Sequence, residues 1–445
     1  MTRILPGLYA LSAKGMKLGI ERPREGLKRL GNPENKFPVV LVTGTNGKGS
    51  VAANLSAILT AAGYKTGLFT SPHLVRYNER VRIGGQDISD KDVERLLTQI
   101  GETIYFDFRS GKPTNNKRYL PLTFFEVTTA LALLAFKEAK VDIAVLEIGL
   151  GGRLDATNAT EPIFTLITPI GYDHTSILGE SLKDIAGEKA MTMRRGRPAL
   201  IAPMPNEARK RLLEMGAEIG AELFELENHW KNASESEIFS VSFDGEEAGG
   251  LSTILAGEYQ KQNAAQSAAG ALILKHRLNF GKISKESIRE GLRTVRWRGR
   301  AEWIDDSPPW IIDGSHNREG MREFAKFLAE CKKRRSIKRA GLIFASTRAG
   351  FLDEILKMLA PSFVDIVCTQ SSSERSLPSQ EIYNTAIKYF PKCAYVREIK
   401  SAVELLKERN PDLDLIVITG SLYLAGNAIA LREAPHLLDN PFPNA

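Results

Sequence analysis

The chain reads as an α/β protein in which a larger, phosphate-loop-bearing N-terminal domain with a mostly parallel sheet precedes a smaller α/β domain. Three observations predict this. Short apolar runs alternate with longer helical patterns, as expected for parallel strands joined by crossover helices. A strand-like run at 39–42 enters a glycine-rich turn, and a helix-like run at 51–62 leaves it. The length of 445 residues exceeds one typical core, and a fresh strand series begins after Trp297. The predicted domains are 1–296 and 297–445, with the boundary near 295–300.

In chain order, the first series has candidate strands at 39–43, 66–69, 142–147 and 163–168, with helices over 122–136 and 182–193. The stretch around 228–250 is polar and acidic. Within it, Ile238-Phe239-Ser240-Val241-Ser242-Phe243 alternates and reads as an antiparallel edge strand. The second series has strands at 310–313, 341–345, 364–369 and 415–419, each followed by a plausible helix.

Lys and Arg number 60 against 53 Asp and Glu, a formal charge of +7. The basic residues are spread along the chain, and the densest run, Lys332 to Arg335, has no interleaved aromatics for base stacking, so no nucleic-acid partner is expected. Cys331, Cys368 and Cys393 show no C-x-x-C spacing; neither a disulfide framework nor a cysteine metal site follows, and a reducing cytoplasm is the expected compartment. The N-terminus lacks a signal-peptide apolar block, and Glu126 interrupts the most apolar helix, so no membrane span is expected.

The turn Thr43-Gly44-Thr45-Asn46-Gly47-Lys48-Gly49-Ser50 is placed to hold phosphate. Glycines allow close backbone approach, the following helix presents unsatisfied N–H groups, and Lys48 adds a point charge. The strict G-x-x-x-x-G-K-[ST] pattern is missed twice: Val42 stands at the first glycine and Gly49 separates Lys48 from Ser50. An ordinary strand-to-helix turn is the plain alternative.

G-T-N-G-K-G-S is followed by Thr70-Ser71-Pro72-His73-Leu74, Asn78-Glu79-Arg80-Val81, Leu146-Glu147-Ile148-Gly149-Leu150-Gly151-Gly152-Arg153-Leu154-Asp155-Ala156, Asp173-His174-Thr175, Glu188-Lys189-Ala190, Asp313-Gly314-Ser315-His316-Asn317 and Thr419-Gly420-Ser421-Leu422-Tyr423. In this order the blocks resemble the bifunctional folylpolyglutamate synthase/dihydrofolate synthase family, ATP-dependent amide ligases akin to the peptidoglycan (Mur) ligases. The resemblance spans nearly the whole chain.

It implies a ligase that joins L-glutamate to dihydropteroate and extends reduced folates, using ATP as co-substrate and magnesium ions, two in number, with the chain acting as a monomer. Thr45, Asn46, Gly47, Lys48, Gly49 and Ser50 would hold the ATP phosphates, with Lys48 and the loop N–H groups neutralising the transferring phosphoryl. Asn263, Arg300, Asp313 and His316 would add nucleotide contacts, Asp313 to the ribose. Glu147 ends a strand where parallel-sheet enzymes collect ligands; it is the first implied magnesium ligand, with a loop-capping carboxylate as the alternative. Ser71 and His174 are the others, although a histidine is unusual for this oxygen-seeking cation and reads unaided as a hydrogen-bonding group. Lys189 reads plainly as a surface lysine; the resemblance implies that it can be carbamylated to ligate a second magnesium. Lys48, Lys189 and His174 are the implied catalytic set.

Substrate contacts are implied for Arg82, Leu122, Thr123, Phe124, Phe125, Leu154, Asp155 and Ala156, with Asp155 accepting from the pterin donors. A helix-start core cluster is an equally good account of 122–125. The chain departs from the family pattern at Tyr259 (usually His), Arg298 (usually Pro), Met191 (usually Gly) and 346–350, where a lysine–aspartate pair is common. The alternatives are a ligase with one of the two activities, a peptidoglycan-precursor ligase, and a nucleotide-dependent switch.

Overall fold

A computed structural model describes residues 4–12, 15, 17–232, 237–347 and 350–438. Arg348 and Ala349, inside the divergent 346–350 stretch, lie outside the described residues. The chain forms two compact units: Met1–Ser71, Asn78–Ile254 and Gln260–Arg296 in the first, and Pro72–Tyr77, Leu255–Tyr259 and Trp297–Ala445 in the second. Among the described residues, no helix is long and apolar enough to cross a membrane.

The strands of the first unit are β1 (Val39–Thr43), β2 (Thr66–Phe69), β3 (Val81–Ile83), β4 (Gln86–Asp87), β5 (Phe106–Asp107), β6 (Lys112–Pro113), β7 (Ile143–Glu147), β8 (Phe164–Ile167), β9 (Pro198–Ile201), β10 (Glu222–Glu225), β11 (Trp230–Asn232), β12 (Phe239–Phe243) and β13 (Glu246–Leu251). Its main sheet has the order β10-β9-β8-β1-β7-β2-β3-β4. The strands from β10 to β2 are parallel, and β3 and β4 add an antiparallel edge. β1, β7 and β8 are buried along their whole length, as the continuous apolar runs require when helices cover both faces. The C-terminal ends of β8, β1, β7 and β2 therefore lie in a row, and each carries one of the sequence blocks onward.

β12 corrects one expectation. It is the central strand of a three-stranded antiparallel sheet, β11-β12-β13, not an edge. Phe239, Val241 and Phe243 point into the core while Ser240 and Ser242 are half-buried. Its neighbours were illegible because β11 is only three residues and β13 contains Gly249-Gly250.

The second unit adds β14 (Glu302–Ile304), β15 (Trp310–Ile312), β16 (Ala340–Phe344), β17 (Asp365–Cys368), β18 (Cys393–Tyr395) and β19 (Leu415–Thr419), in the order β14-β15-β19-β16-β17-β18. All pairs but β14–β15 are parallel. One face of this sheet packs Met321, Phe324, Leu356 and Ile382, and the other packs Ala402, Leu406, Leu424 and Ala428, so helices cover both sides. β19, last in sequence, sits between β15 and β16. That return is where the covering helix changes face, the usual position of a ligand crevice in such sheets.

Candidate active site

The phosphate loop takes its shape from Gly47. Its φ of 89° is left-handed, and it caps the helix Lys48–Ala61, which starts three residues earlier than the apolar pattern indicates. A Cβ there would stand 3.1 Å from the Asn263 Cγ and closer still to its amide oxygen, so Asn263 from helix Glu258–Leu278 lies directly against the loop. Gln260 fixes the Asn263 amide by accepting from its Nδ2 at 3.0 Å. The first-turn amides of Lys48, Gly49 and Ser50 have no intrahelical acceptor by construction and bring the positive end of the helix to the loop. The Lys48 ammonium lies over the same loop, donating to the Thr45 carbonyl at 3.0 Å and the Gly44 carbonyl at 3.3 Å.

Thr45 differs from its expected place. Its N–H donates to the Pro169 carbonyl at 2.9 Å, and its hydroxyl exchanges hydrogen bonds of 3.1 Å with Gly171. The Asn46 N–H also points at Pro169, at 3.4 Å. Thr45 thus ties the glycine-rich loop to the β8 loop.

Lys189 is buried, not a surface residue. Gly152 makes this possible, because a Cβ there would stand 3.0 Å from the Lys189 Cα. The lysine runs beneath the loop and donates to the Gly44 carbonyl at 2.6 Å and the Gly151 carbonyl at 3.4 Å. Burial, reinforced by the neighbouring Lys48 charge, pushes its ammonium down to about 7. Next to it, Arg153 pairs with Glu188 at 2.9 Å and binds the Glu188 carbonyl through its N–H, closing the 149–155 loop onto helix Leu182–Ala190.

Glu147, at the end of β7, is buried and accepts the Ser71 N–H at 3.0 Å. His174 follows β8 in a left-handed conformation, φ 51°, with its ring partly exposed and its Nε2 3.8 Å from Asp173. Among the described residues no three His, Cys, Asp or Glu side chains cluster as a protein-made metal cage. One strand-end carboxylate beside a serine, next to a phosphate loop, nevertheless fits magnesium, which is held by few protein oxygens and completes its shell with water and phosphate.

The aromatic block divides by side. Thr123 caps helix Phe124–Ala139 in a reciprocal box with Glu126, and Leu122 is buried. Phe124 is core: Tyr9 stacks on it at 5.6 Å and the buried Arg80 guanidinium lies 5.0 Å from its ring centre. Of the two phenylalanines Phe125 is the partly exposed one, lying across Gly149 of the β7 loop and 5.8 Å from the Phe69 ring. Leu154 is partly exposed and Ala156 is buried.

Asp155 is fully inside. One carboxylate oxygen accepts the Thr157 N–H and hydroxyl at 3.0 and 2.6 Å, and the other accepts the Leu150 N–H at 2.9 Å. Burial pushes its carboxyl up against these hydrogen bonds. Three of its acceptor sites therefore organise the loop. Arg82 pairs with Asp87 at 2.8 Å across β3–β4 and reaches the Arg296 carbonyl at 3.3 Å.

A segment near the N-terminus, residues 17–22, also reaches this region. There the Gly19 N–H donates to the Leu154 carbonyl at 3.4 Å, and Arg22 bridges the Lys17 carbonyl and Glu126 at 2.7 and 2.8 Å. Residues 17–22 thus strap Leu154 to the start of the Phe125 helix. No local motif marked them.

In the second unit, Arg300 lies on Gly314, where a Cβ would stand 2.7 Å from its guanidinium. Asp313, at the end of β15, is buried and accepts the Ala301 and Ser315 N–H groups at 2.9 and 2.8 Å. His316 Nδ1 is 2.9 Å from the Gly314 carbonyl. Asp313, Arg300 and His316 thus form one group at the C-terminal ends of the second sheet.

Residues 42–271 match the Mur ligase middle domain and 299–422 the Mur ligase glutamate ligase domain. The dihydrofolate synthase/folylpolyglutamate synthase of Bacillus subtilis is 32% identical over 415 residues, 92% of this chain and 94% of that protein. The enzyme of the same name from Mycobacterium tuberculosis is 30% identical over 97% of this chain and 91% of its own length. Among solved structures, Escherichia coli FolC in complex with DHPP and ADP superposes with a TM-score of 0.84 at 26% identity, covering 98% and 99% of the two chains. The Mycobacterium tuberculosis folylpolyglutamate synthase complexed with ADP and AMPPCP gives 0.82 at 29% identity over 97% and 99%. With both domain matches in order and a relative of this identity along almost its full length, the chain belongs to the dihydrofolate synthase/folylpolyglutamate synthase family of Mur-type ligases.

Proposed function

We propose that this ATP-dependent ligase carries both activities, joining L-glutamate to dihydropteroate and adding further glutamates to reduced folates. The observation that carries the ligase chemistry is the convergence of the Gly47–Lys48 helix start, Lys189 and the Glu147–Ser71 pair along one row of strand ends.

A carboxylate is a poor electrophile, so an oxygen of the pteroate or folate carboxylate attacks the γ-phosphorus of ATP, and the bond to ADP breaks. The amine of glutamate then attacks the acyl phosphate carbon, phosphate leaves, and the amine proton is lost to solvent. Catalysis of this kind rests on positioning and charge neutralisation, with no enzyme nucleophile. Lys48 and the first-turn amides of its helix hold the transferring phosphoryl. Arg300, Asp313 and His316 supply the second unit's nucleotide contacts, and Asn263 shapes the loop while contacting the nucleotide.

Magnesium at Glu147, Ser71 and His174, and a second ion at Lys189, would screen the phosphate charge. Lys189 is suited to carbamylation because the neutral amine, which burial favours, is the form that adds carbon dioxide. On the pteroate side, Phe125 and Leu154 present the accessible apolar surface. Leu122, Thr123 and Phe124 hold the helix start beneath them, and Asp155 and Ala156 hold the loop. Arg82, fixed by Asp87, is a further substrate contact at the edge of the sheet.

The reading also includes a monomer working in the cytoplasm without a nucleic-acid partner; the free thiols of Cys331, Cys368 and Cys393 support a reducing compartment. Dihydropteroate labelled with 18O in its carboxylate tests the mechanism. One labelled oxygen should leave with each phosphate during turnover. Release of unlabelled phosphate would refute carboxylate activation by ATP.

A further inference from the structure

Glu126 carries more charge than its helix cap needs. The reciprocal box with Thr123 is served by either glutamate or glutamine, and one carboxylate oxygen supplies it by accepting the Thr123 N–H at 2.7 Å. The side chain is only 4% exposed, and its other oxygen accepts from Arg22 Nη2 at 2.8 Å. A carboxylate this deeply buried needs a partner to remain charged. Its partner lies 104 residues earlier in the chain.

Arg22 uses the same nitrogen twice. Nη2 also donates to the Lys17 carbonyl at 2.7 Å, which folds residues 17–22 back on themselves. Inside that turn Gly19, at a φ of 138° that favours glycine, donates its N–H to the Leu154 carbonyl at 3.4 Å. The helix to which Arg22 belongs, Glu21–Arg29, continues onto the same region: a Cβ on Gly26 would stand 3.1 Å from Leu122 Cδ1. The strap is therefore bound on one side to the start of helix Phe124–Ala139 and on the other to the 149–156 loop. Those two elements present Phe125 and Leu154, and all of these residues belong to the first unit.

We propose that the Arg22–Glu126 ion pair is a clamp that sets the spacing between Phe125 and Leu154, which makes Arg22 a positioning residue for the pterin substrate. The proposal rests on the reading of Phe125 and Leu154 as the pteroate side and adds what holds them in register. Arg22 acts through the walls of the pocket. A flat heterocycle packs on both faces only when those walls stand at van der Waals distance, so a slackened strap is felt in substrate binding. In the proposed ligase the nucleotide is held elsewhere, at the Gly47–Lys48 helix start, and serves as the internal control.

Two single variants open the clamp from opposite sides. Arg22→Met removes the charge and keeps an apolar stem, while Glu126→Gln removes the charge and keeps the helix cap. Each should raise KM for the pterin substrate, dihydropteroate or reduced folate, about fivefold, with kcat and KM for ATP within about twofold of wild type. Because both break one bond, the double variant should be no worse than either single. Arg22→Lys keeps a cationic donor for Glu126 and should recover most of the loss. In the ligand-free protein, hydrogen exchange across residues 17–22 should quicken about tenfold in Arg22→Met and Glu126→Gln and stay near wild type in Arg22→Lys. If Arg22→Met fails to fold, Glu126→Gln and Arg22→Lys carry the comparison. An unchanged KM for the pterin substrate in the folded variants, losses that add in the double variant, or an equal rise in KM for ATP would overturn the clamp. So would an Arg22→Lys variant as impaired as Arg22→Met. Phe125→Ala separates the two ways of failing. Weaker pterin binding in Phe125→Ala but not in the clamp variants refutes the clamp and leaves the pteroate reading standing, whereas unchanged binding in Phe125→Ala refutes that reading and the proposal with it.

Discussion

Replacing Lys189 by Met should make the protein more stable at neutral pH and inactive, and the gain should vanish as the pH rises. The depression of its ammonium from 10.5 to about 7 corresponds to about 5 kcal/mol of penalty on the charged form. Below about pH 7 the amine is protonated in both folded and unfolded chains, so the penalty is fully present. Between about pH 7 and 10.5 the unfolded chain holds a proton that the folded one does not, and stability from this group rises with pH. Above that window the penalty is gone.

Methionine fills a similar volume without a charge but removes the donor to the Gly44 and Gly151 carbonyls, a loss of about 1 to 2 kcal/mol. The net gain near pH 6.5 is therefore about 3 kcal/mol, and it shrinks by about 2 kcal/mol between pH 7 and pH 9. At about 2 °C per kcal/mol for a domain of this size, the difference in melting temperature should narrow by about 4 °C over that range. The assay is differential scanning calorimetry in CO2-free buffers, so that the free amine is what titrates, read on the transition of the first unit. Parallel melting profiles of variant and wild type from pH 6 to 9 would refute the reasoning that burial suppresses the ammonium.

Gly47→Ala places a methyl against Asn263 at a left-handed position, so nucleotide binding measured by calorimetry should fall about tenfold or more while the fold persists; wild-type binding would remove Gly47 from the phosphate cradle. The neighbouring phenylalanines should separate cleanly. Phe124→Ala removes a buried ring stacked on Tyr9 and should cost about 3 to 5 kcal/mol of stability. Phe125→Ala should cost much less stability and weaken dihydropteroate use by about 1 to 3 kcal/mol, more than folate extension. Equal losses for both substrates would place Phe125 in a shared site, and a stability loss as large as that of Phe124 would place it in the core.

The frame of this protein is legible in its sequence because each central strand is a continuous apolar run and each leads to a distinctive turn. That is why Val39–Thr43, Ile143–Glu147 and Leu415–Thr419 could be placed from residue type alone. The loop around Gly47 and the carboxylate at Glu147 are legible for the same reason: their chemistry sits where a strand ends. What escapes the sequence is the division of labour inside a motif. Phe124 and Phe125 are adjacent, and which of them faces the core follows from where Thr123 starts the helix. Asp155 looks like a free acceptor until the loop folds back and Leu150 and Thr157 take its oxygens. Lys189 looks like a surface lysine because nothing local shows that Gly152 opens a path beneath the phosphate loop.

Whether one polypeptide performs both ligations is decided most directly by its products. Purified protein should be incubated with ATP, magnesium and L-glutamate and with either dihydropteroate or a reduced folate already bearing one glutamate, and the products resolved by mass spectrometry. A bifunctional ligase should give a single glutamate adduct of dihydropteroate and a longer glutamate chain on the folate, each formed with stoichiometric ADP and phosphate. Glutamate added to the folate alone, with dihydropteroate untouched, would contradict the bifunctional reading and leave a folylpolyglutamate synthase.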